Sequence, residues 1–422
     1  MKLKQKTGDF IVNELINKNL ILNDNKGNYN LYVLKKTNIE SLKVFKYLSN
    51  KFNIPLKDIG YCGLKDKYAT TTQYITIPKK YGKLLLNEKN ISLNYISTIG
   101  NQLKTGDLTG NNFQITIRNI DKKDFNIISN NLNKLKYGAP NYFDNQRFGS
   151  VINNNFIGKY YLLEHYEKGM KLFLTKYTSN ENKIIKNLKR YIQLNWDNWP
   201  KIKQYVFKNN IKSRTYVKII NYLNNEYINH INNNTNNNNI NTNNNNYNVI
   251  KNEIFKKSFN LIDNNLKKMF VYSYQSYLWN QCIKEYFKLI ISKENKYFVD
   301  YNCGTMLFYK NINEELFNNL KNEKFPTIVP DKNYNNLKEQ YYKIILKILK
   351  IEKLKLEQFN NLNNLNKLVY SQRNILNIPE NIKYSEFIVD EANKGKYKIN
   401  IQFNLNKGCY ATIIIKRIFN VK

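Results

Sequence analysis

Phe10 to Ile16 and Tyr29 to Leu34 read as strands, the second with apolar side chains on alternate positions before the basic pair Lys35-Lys36. A helix follows, because Leu42, Phe45, Leu48 and Phe52 recur at helical intervals until Pro55, and Thr37 and Glu40 stand at capping-box spacing. Gln73 to Ile77 predicts a strand stopped by Pro78. In another, Phe113, Ile115 and Ile117 alternate with Gln114, Thr116 and Arg118. Phe125, Ile128, Leu132 and Leu135 build a second helix over Asp121 to Tyr137, ended by Gly138. Strands and helices mixed without a regular βαβ period predict an α+β domain on a mainly antiparallel sheet.

From about residue 151 the pattern shifts to longer helical stretches, as a second domain would produce. Of the 20 residues from Asn229 to Asn248, 14 are Asn and none is charged, so this segment reads as a disordered surface insertion. Met269 to Ile291 is a strongly aromatic helix, whose plainest role is packing. Strand grammar returns at the C-terminus, where Tyr397, Ile399, Ile401 and Phe403 alternate. A turn at Lys407-Gly408 then leads into the β-branched run Ile413 to Ile415, which predicts a central strand buried on both faces. Strands at both ends with helices between them imply one shared sheet carrying an insertion.

Composition adds a partner. The chain has 67 Lys and Arg against 32 Asp and Glu, a formal charge of +35, which favours a polyanion. Its 34 Tyr and 22 Phe supply stacking surfaces of the kind RNA binding uses, although the abundance of Lys, Asn, Ile and Tyr also fits an A/T-rich genome. The four cysteines (Cys62, Cys282, Cys303, Cys409) form no C-x-x-C pair and the only histidines are His165 and His230, which argues against a zinc site and a histidine-based triad. Isolated thiols without a signal peptide fit a reducing compartment, cytoplasmic or nuclear, and no apolar run is long enough to span a membrane.

The candidate chemistry centres on Gly60-Tyr-Cys-Gly-Leu-Lys65-Asp66-Lys-Tyr-Ala69, which sets one carboxylate between two lysines, after glycines that allow a tight turn and before a strand. Alone, such a triplet is usually a solvated turn. Asn141-Tyr-Phe143-Asp-Asn-Gln146-Arg147-Phe148-Gly149 joins amides, an arginine and aromatic rings able to bond a base edge and stack on its face. Gly106 to Phe113 reads as a glycine-bounded turn entering a strand. Phe10 and Tyr410 are candidate ring platforms, each as readily explained by the core.

Taken in order, these segments resemble the TruD family of tRNA pseudouridine synthases. The likeness rests on Asp9-Phe10, the Gly-Leu-Lys-Asp loop with its Ala-x-Thr-x-Gln tail at Ala69 to Gln73, and the Gly-x-Leu-x-Gly-Asn turn at Gly106 to Asn111. It extends to Pro140 to Gly149, the Tyr274-Gln-Ser-Tyr-Leu helix and the final Lys407-Gly-x-Tyr-Ala-Thr turn. It spans residues 1–150 and about 265–422. Thr7-Gly8 replaces the family's Pro-Glu, and residues 151–264 show little that aligns.

The resemblance implies a pseudouridine synthase catalytic domain on a mixed, mainly antiparallel sheet, formed by 1–150 and 371–422. A mainly helical α+β RNA-binding domain of the TRUD type is inserted at 151–370. It also implies isomerisation of a uridine, at position 13 in the D arm of tRNA, to pseudouridine through catalytic Asp66. Phe10 and Tyr410 flank the uracil or its sugar, Asn141 bonds the base, and Phe143, Gln146 and Arg147 complete the wall. Lys4 and Lys65 contact substrate, and Lys65 or Arg147 keeps Asp66 charged. No cofactor, metal, membrane or protein partner is expected, and the chain is expected to be monomeric. Three alternatives stay open: a non-catalytic RNA-binding or RNA-chaperone protein of the same fold, a synthase acting on other structured RNA or mRNA, and a hydrolase pairing two carboxylates, with Asp144 as the second carboxylate.

Overall fold

The computed structural model describes residues 1–17, 19, 27–178, 181–236, 244–329, 334, 337–365 and 370–419. Its chain forms two compact units. The first comprises Met1–Asn141, Tyr309–Asn322 and Leu376–Val421, and the second Tyr142–Phe308 and Glu323–Ile375. The Phe143 to Gly149 block thus belongs to the second unit, whereas residues 1–150 were expected to stay together.

The first unit is built on strands β1 (Phe10–Ile16), β2 (Tyr29–Thr37), β3 (Gly60–Tyr61), β4 (Thr70–Pro78), β5 (Leu86–Glu88), β6 (Ile91–Ile99) and β7 (Leu108–Ile120), with helices α1 (Ser41–Lys51) and α2 (Phe125–Asn133) and the short β8 (Ala139–Pro140). The second unit contributes α3 (Ile157–Leu162), α4 (Tyr166–Thr175), α5 (Lys183–Leu194), α6 (Trp199–Lys208), α7 (Arg214–Asn236), α8 (Asn244–Asn260), α9 (Asn264–Ile290), β9 (Lys296–Tyr301) and most of β10 (Gly304–Tyr309). After α10 (Glu314–Leu320) in the first unit, β11 (Lys324–Pro326), α11 (Glu339–Glu352) and β12 (Gln372–Asn374) return to the second. The chain closes in the first with β13 (Leu376–Asn377), β14 (Glu380–Tyr384), β15 (Ile388–Val389), β16 (Tyr397–Asn406) and α12 (Ala411–Phe419).

A ten-stranded mixed sheet organises the first unit, in the order β14-β16-β7-β1-β4-β2-β6-β5, with β15 on β16 and β3 on β4. Only the β1–β4 pairing among those described is parallel. The two ends of the chain meet at β7, where Phe113 faces Val12 of β1 and Phe403 of β16. Rings line up across these three strands, Phe10 on Phe113 at 6.2 Å and Phe113 on Phe403 at 5.8 Å between centroids. Towards the other edge, Tyr32, Leu34, Ile75, Ile77 and Leu93 pack with Val44, Phe45 and Leu48 of α1. The unit is therefore α+β, as the patterning predicts.

Three local expectations change. Ile413 to Ile415 lie in helix α12, not in a strand. All three are fully buried, and an apolar run enclosed on every side carries no periodicity to separate strand from helix. Helix α1 begins after Glu40 with no side-chain cap, because Thr37 ends β2 and faces Thr70 across the sheet. Within Asn229 to Asn248, α7 continues to Asn236 and α8 starts at Asn244, extending helices whose adjoining faces bury Leu223 and Phe255, while residues 237–243 lie outside the described residues.

In the second unit α9 is the central packing helix, burying Phe270, Tyr274, Leu278, Trp279 and Ile283 against α3 and α11. Burial is offset at its polar positions. Tyr274 and Tyr277 donate to Glu352, which also pairs with Lys159 at 2.6 Å. No helix among the described residues is long and apolar enough to cross a membrane.

Candidate active site

Asp66 lies in the loop between β3 and β4, which is fixed at several points within the first unit. Ser41 Oγ, at the start of α1, accepts from Lys65 N at 3.0 Å, and Asn38 N donates to Ala69 O at 3.2 Å. Ala69, Thr71 and Gln73 are each fully buried, so the Ala-x-Thr-x-Gln tail turns inward as it enters β4. Of the two glycines, Gly60 serves close packing more than turning, and Gly63 has open space around it. Neither Gly60 nor Gly63 has positive φ, but a Cβ on Gly60 would come within 2.3 Å of Thr76 Oγ1.

The charges around this loop differ from the expected pattern. Lys4 Nζ pairs with Asp66 Oδ2 at 2.7 Å, with both side chains mostly shielded, and lies 4.1 Å from the Phe10 ring centroid. Its backbone is left-handed, φ 56°, a conformation that costs a non-glycine residue about 1 kcal/mol and places the ammonium beside the carboxylate. Lys65, expected to face Asp66, turns away. Its Nζ pairs with buried Glu14 at 2.5 Å and donates to Asn111 Oδ1 at 3.0 Å, while Glu14 accepts from Tyr74 N at 2.9 Å. Lys65 therefore ties the loop to β1, β4 and β7. The Gly106 to Asn111 turn supplies Asn111, and Gly110 is required there because a Cβ would lie 2.3 Å from Leu405 O.

Lys36 completes the arrangement from beneath. It is fully buried, and its Nζ donates to the backbone carbonyl of Asp66 at 2.7 Å. Burial, only partly offset by the charge of Asp66, pushes the Lys36 ammonium down to about 8. Three lysines thus divide the work: Lys4 meets the carboxylate, Lys36 its carbonyl, and Lys65 anchors the neighbouring backbone.

Two other expected residues share an anchor in this unit. Asn141 follows β8, whose Pro140 pairs with Leu376 of β13, and Asn377 of β13 donates to Tyr410 O at 3.0 Å. Asn141 is buried and Tyr410 half-buried. Phe10 is buried beneath Lys4 with 3% exposure, so its ring is an edge of the core more than an open platform.

Phe143, Gln146 and Arg147 belong to the second unit, where α9 positions Phe143 and Arg147. Asn280 clamps Phe143 by accepting from its N and donating to its O, both at 2.8 Å, and Arg147 Nε donates to Ser276 Oγ at 3.0 Å. Gln146 is exposed and Asp144 buried. The guanidinium of Arg373, on β12, stands 3.8 Å from the Phe143 centroid.

Sequence reasoning missed Glu14, Lys36, Asn280, Ser276 and Arg373. The first two were detectable, since Glu14 shares the buried parity of Phe10, Val12 and Ile16, and Lys36 that of Tyr32 and Leu34. A charge on the inward register of a strand signals a paired or working group. Arg373 carried no such signal. Among the described residues no group of three His, Cys, Asp or Glu is placed to hold a metal ion.

Comparison with known proteins places this geometry. The family model described as tRNA pseudouridine synthase D (TruD) matches residues 1–418. The chain is 49% identical over 419 residues to "Probable tRNA pseudouridine synthase D 2" of Methanocaldococcus jannaschii, covering 99% of this chain and 92% of that protein. It is 47% identical over 424 residues to "Probable tRNA pseudouridine synthase D 1" of Methanococcus maripaludis, across the whole of both. A TruD crystal structure from Methanosarcina mazei matches the fold with a TM-score of 0.67 at 24% identity, covering 100% of this chain and 94% of that one. The chain belongs to the tRNA pseudouridine synthase D family, TruD. It is accordingly an enzyme of the isomerase class that converts uridine to pseudouridine.

Proposed function

We propose that this enzyme isomerises the uridine at position 13 in the D arm of tRNA, with Asp66 as the reacting carboxylate. The observation that carries the reading is the Asp66 loop itself: one carboxylate, half-buried, oriented by Lys4 and tied down through Lys36 and the Lys65–Glu14 pair. A group held this firmly suits attack at a single carbon.

The N1–C1′ bond of the uridine breaks, the base turns, and a C5–C1′ bond forms. The C5 hydrogen leaves to water as a proton, and N1 takes up a proton in its place. Atoms and oxidation state are conserved. Asp66 acts on the sugar, at C1′ as nucleophile or at the 2′ hydrogen as base. Asn141 bonds the uracil edge and Tyr410 offers its ring to the base, while Phe143, Gln146 and Arg147 hold RNA on the second unit. The positive charge of the chain attracts the tRNA backbone, so affinity falls steeply with salt. Hydrolysis by paired carboxylates is disfavoured, because Asp144 is buried and Glu14 is buried against Lys65.

Mapping by carbodiimide and primer extension on a tRNA transcript tests the reading. One new stop in the D arm is expected, and it should vanish when that uridine is replaced by cytidine. Stops elsewhere would move the target to another RNA position, and free uracil among the products would indicate a hydrolase.

A further inference from the structure

Within the second unit, Phe143, Arg147, Tyr272, Gln275, Ser276, Thr327, Ser371 and Arg373 line an open depression of about 300 Å³. Its chemistry is one-sided. Two guanidinium groups, three hydroxyls of Ser and Thr, an amide and two aromatic rings face it, and among the described residues no carboxylate lines it. The volume suits one nucleotide.

The walls are built by the fold. β11 and β12 pair antiparallel with Phe325 opposite Arg373, which presents this guanidinium over Phe143. Just beyond the pair, Thr327 N donates to Ser371 O at 2.8 Å and Ser371 N donates to Thr327 Oγ1 at 3.1 Å, fixing the rim. On the other side, Ser276 Oγ donates to Tyr272 O and accepts from Arg147 Nε, setting Arg147 between the rings of Phe143 and Tyr272 at 5.6 and 5.7 Å. Gln275 is held by donation to Ile328 O at 2.8 Å. Two planar cations brought to one ring beside fixed hydroxyl groups suit a phosphodiester, whose oxygens accept paired N–H bonds.

We infer that this depression binds one nucleotide of the RNA, with Arg147 and Arg373 on its phosphate and Tyr272 against its base or sugar. The inference rests on the RNA-modifying reading above, but concerns binding, not turnover. It adds Arg373, Tyr272, Thr327 and Ser371 to the residues expected to meet substrate.

The test is the affinity of full-length protein for a tRNA transcript across a salt series, for wild type, Arg373→Gln, Arg373→Lys and Tyr272→Leu, with thermal midpoints recorded alongside. Arg373→Gln should weaken binding about tenfold and reduce the slope of log K against log salt by about 0.7 to 0.9, one phosphate contact. Arg373→Lys should restore the slope, and Tyr272→Leu should weaken binding with the slope unchanged. Uridine monophosphate should compete with the transcript better than inorganic phosphate, and uridine should not compete measurably. An unaltered slope in Arg373→Gln, equal losses in the Gln and Lys variants, or equal competition by uridine and its monophosphate would each overturn the assignment. Because binding is read without turnover, absence of pseudouridine formation would leave this result standing, and loss of this site would leave the carbodiimide mapping of the product informative.

Discussion

Replacing Lys36 by Met should separate stability from activity. The site holds a fully buried ammonium whose titration is pushed from 10.5 to about 8, so holding it charged costs the folded state about 3 kcal/mol. The same group donates to Asp66 O at 2.7 Å, a charge-assisted bond worth about 1.5 to 3 kcal/mol. Methionine removes both effects with little change of volume, so at pH 7 the unfolding free energy should move by less than about 2 kcal/mol. The Asp66 carbonyl, however, loses its tether. If the carboxylate drifts by about 1 Å, kcat should fall about 100-fold with little change in KM.

The pH dependence follows from the sign of the shift. Below pH 8 Lys36 is protonated in both folded and unfolded chains, and the full penalty applies. Between 8 and 10.5 the folded chain releases the proton while the unfolded chain keeps it, so this residue makes stability rise with pH across that window. Lys36→Met should lack that rise. Denaturant unfolding at pH 7 and pH 9.5, paired with single-turnover tritium release, measures both quantities. A variant with wild-type kcat, or one whose loss of activity merely tracks its loss of stability, would refute the reasoning.

Other variants examine different contacts. Lys4→Met removes the ion partner of Asp66 and should lower kcat at least tenfold in the tritium assay while leaving the thermal midpoint within a few degrees, as expected for a partly exposed pair. Gly110→Ala drives a methyl group to 2.3 Å from Leu405 O and should destabilise the first unit by about 1 to 3 kcal/mol in urea unfolding. Asp390 is held down at about 2; burial opposes this, but backbone bonds from Asn119 and Ala392, an Asn393 bond and Arg118 outweigh it. Its folded-state value lies below the usual 3.8, so it contributes about 2 kcal/mol above pH 4, lost as pH falls through 2, and in acid unfolding Asp390→Asn should flatten that part of the curve.

Strand parity and helical periodicity made most of the first unit legible. Phe10–Ile16 is found with its expected bounds, and alternation at Tyr397 to Phe403 correctly joined the C-terminal strand to the N-terminal sheet. Such signals are local and need only one buried face. They failed at Ile413 to Ile415, where every face is buried, and at Lys65, whose neighbour in sequence is Asp66 but whose partner in space is Glu14. The flanking lysines looked like the natural company of the carboxylate. The fold instead brings Lys4 and Lys36, residues 62 and 30 positions away, because β1, β2 and β4 converge there. Arg373 was invisible for a similar reason, since only the β11–β12 pairing brings it to Phe143.

The most direct test of the central claim is single-turnover tritium release from C5-labelled uridine in a tRNA transcript, comparing wild type with Asp66→Asn at matched, saturating enzyme. Release by wild type and none by the variant, with tRNA affinity retained, is the predicted result. Equal release by both proteins would remove Asp66 from the mechanism.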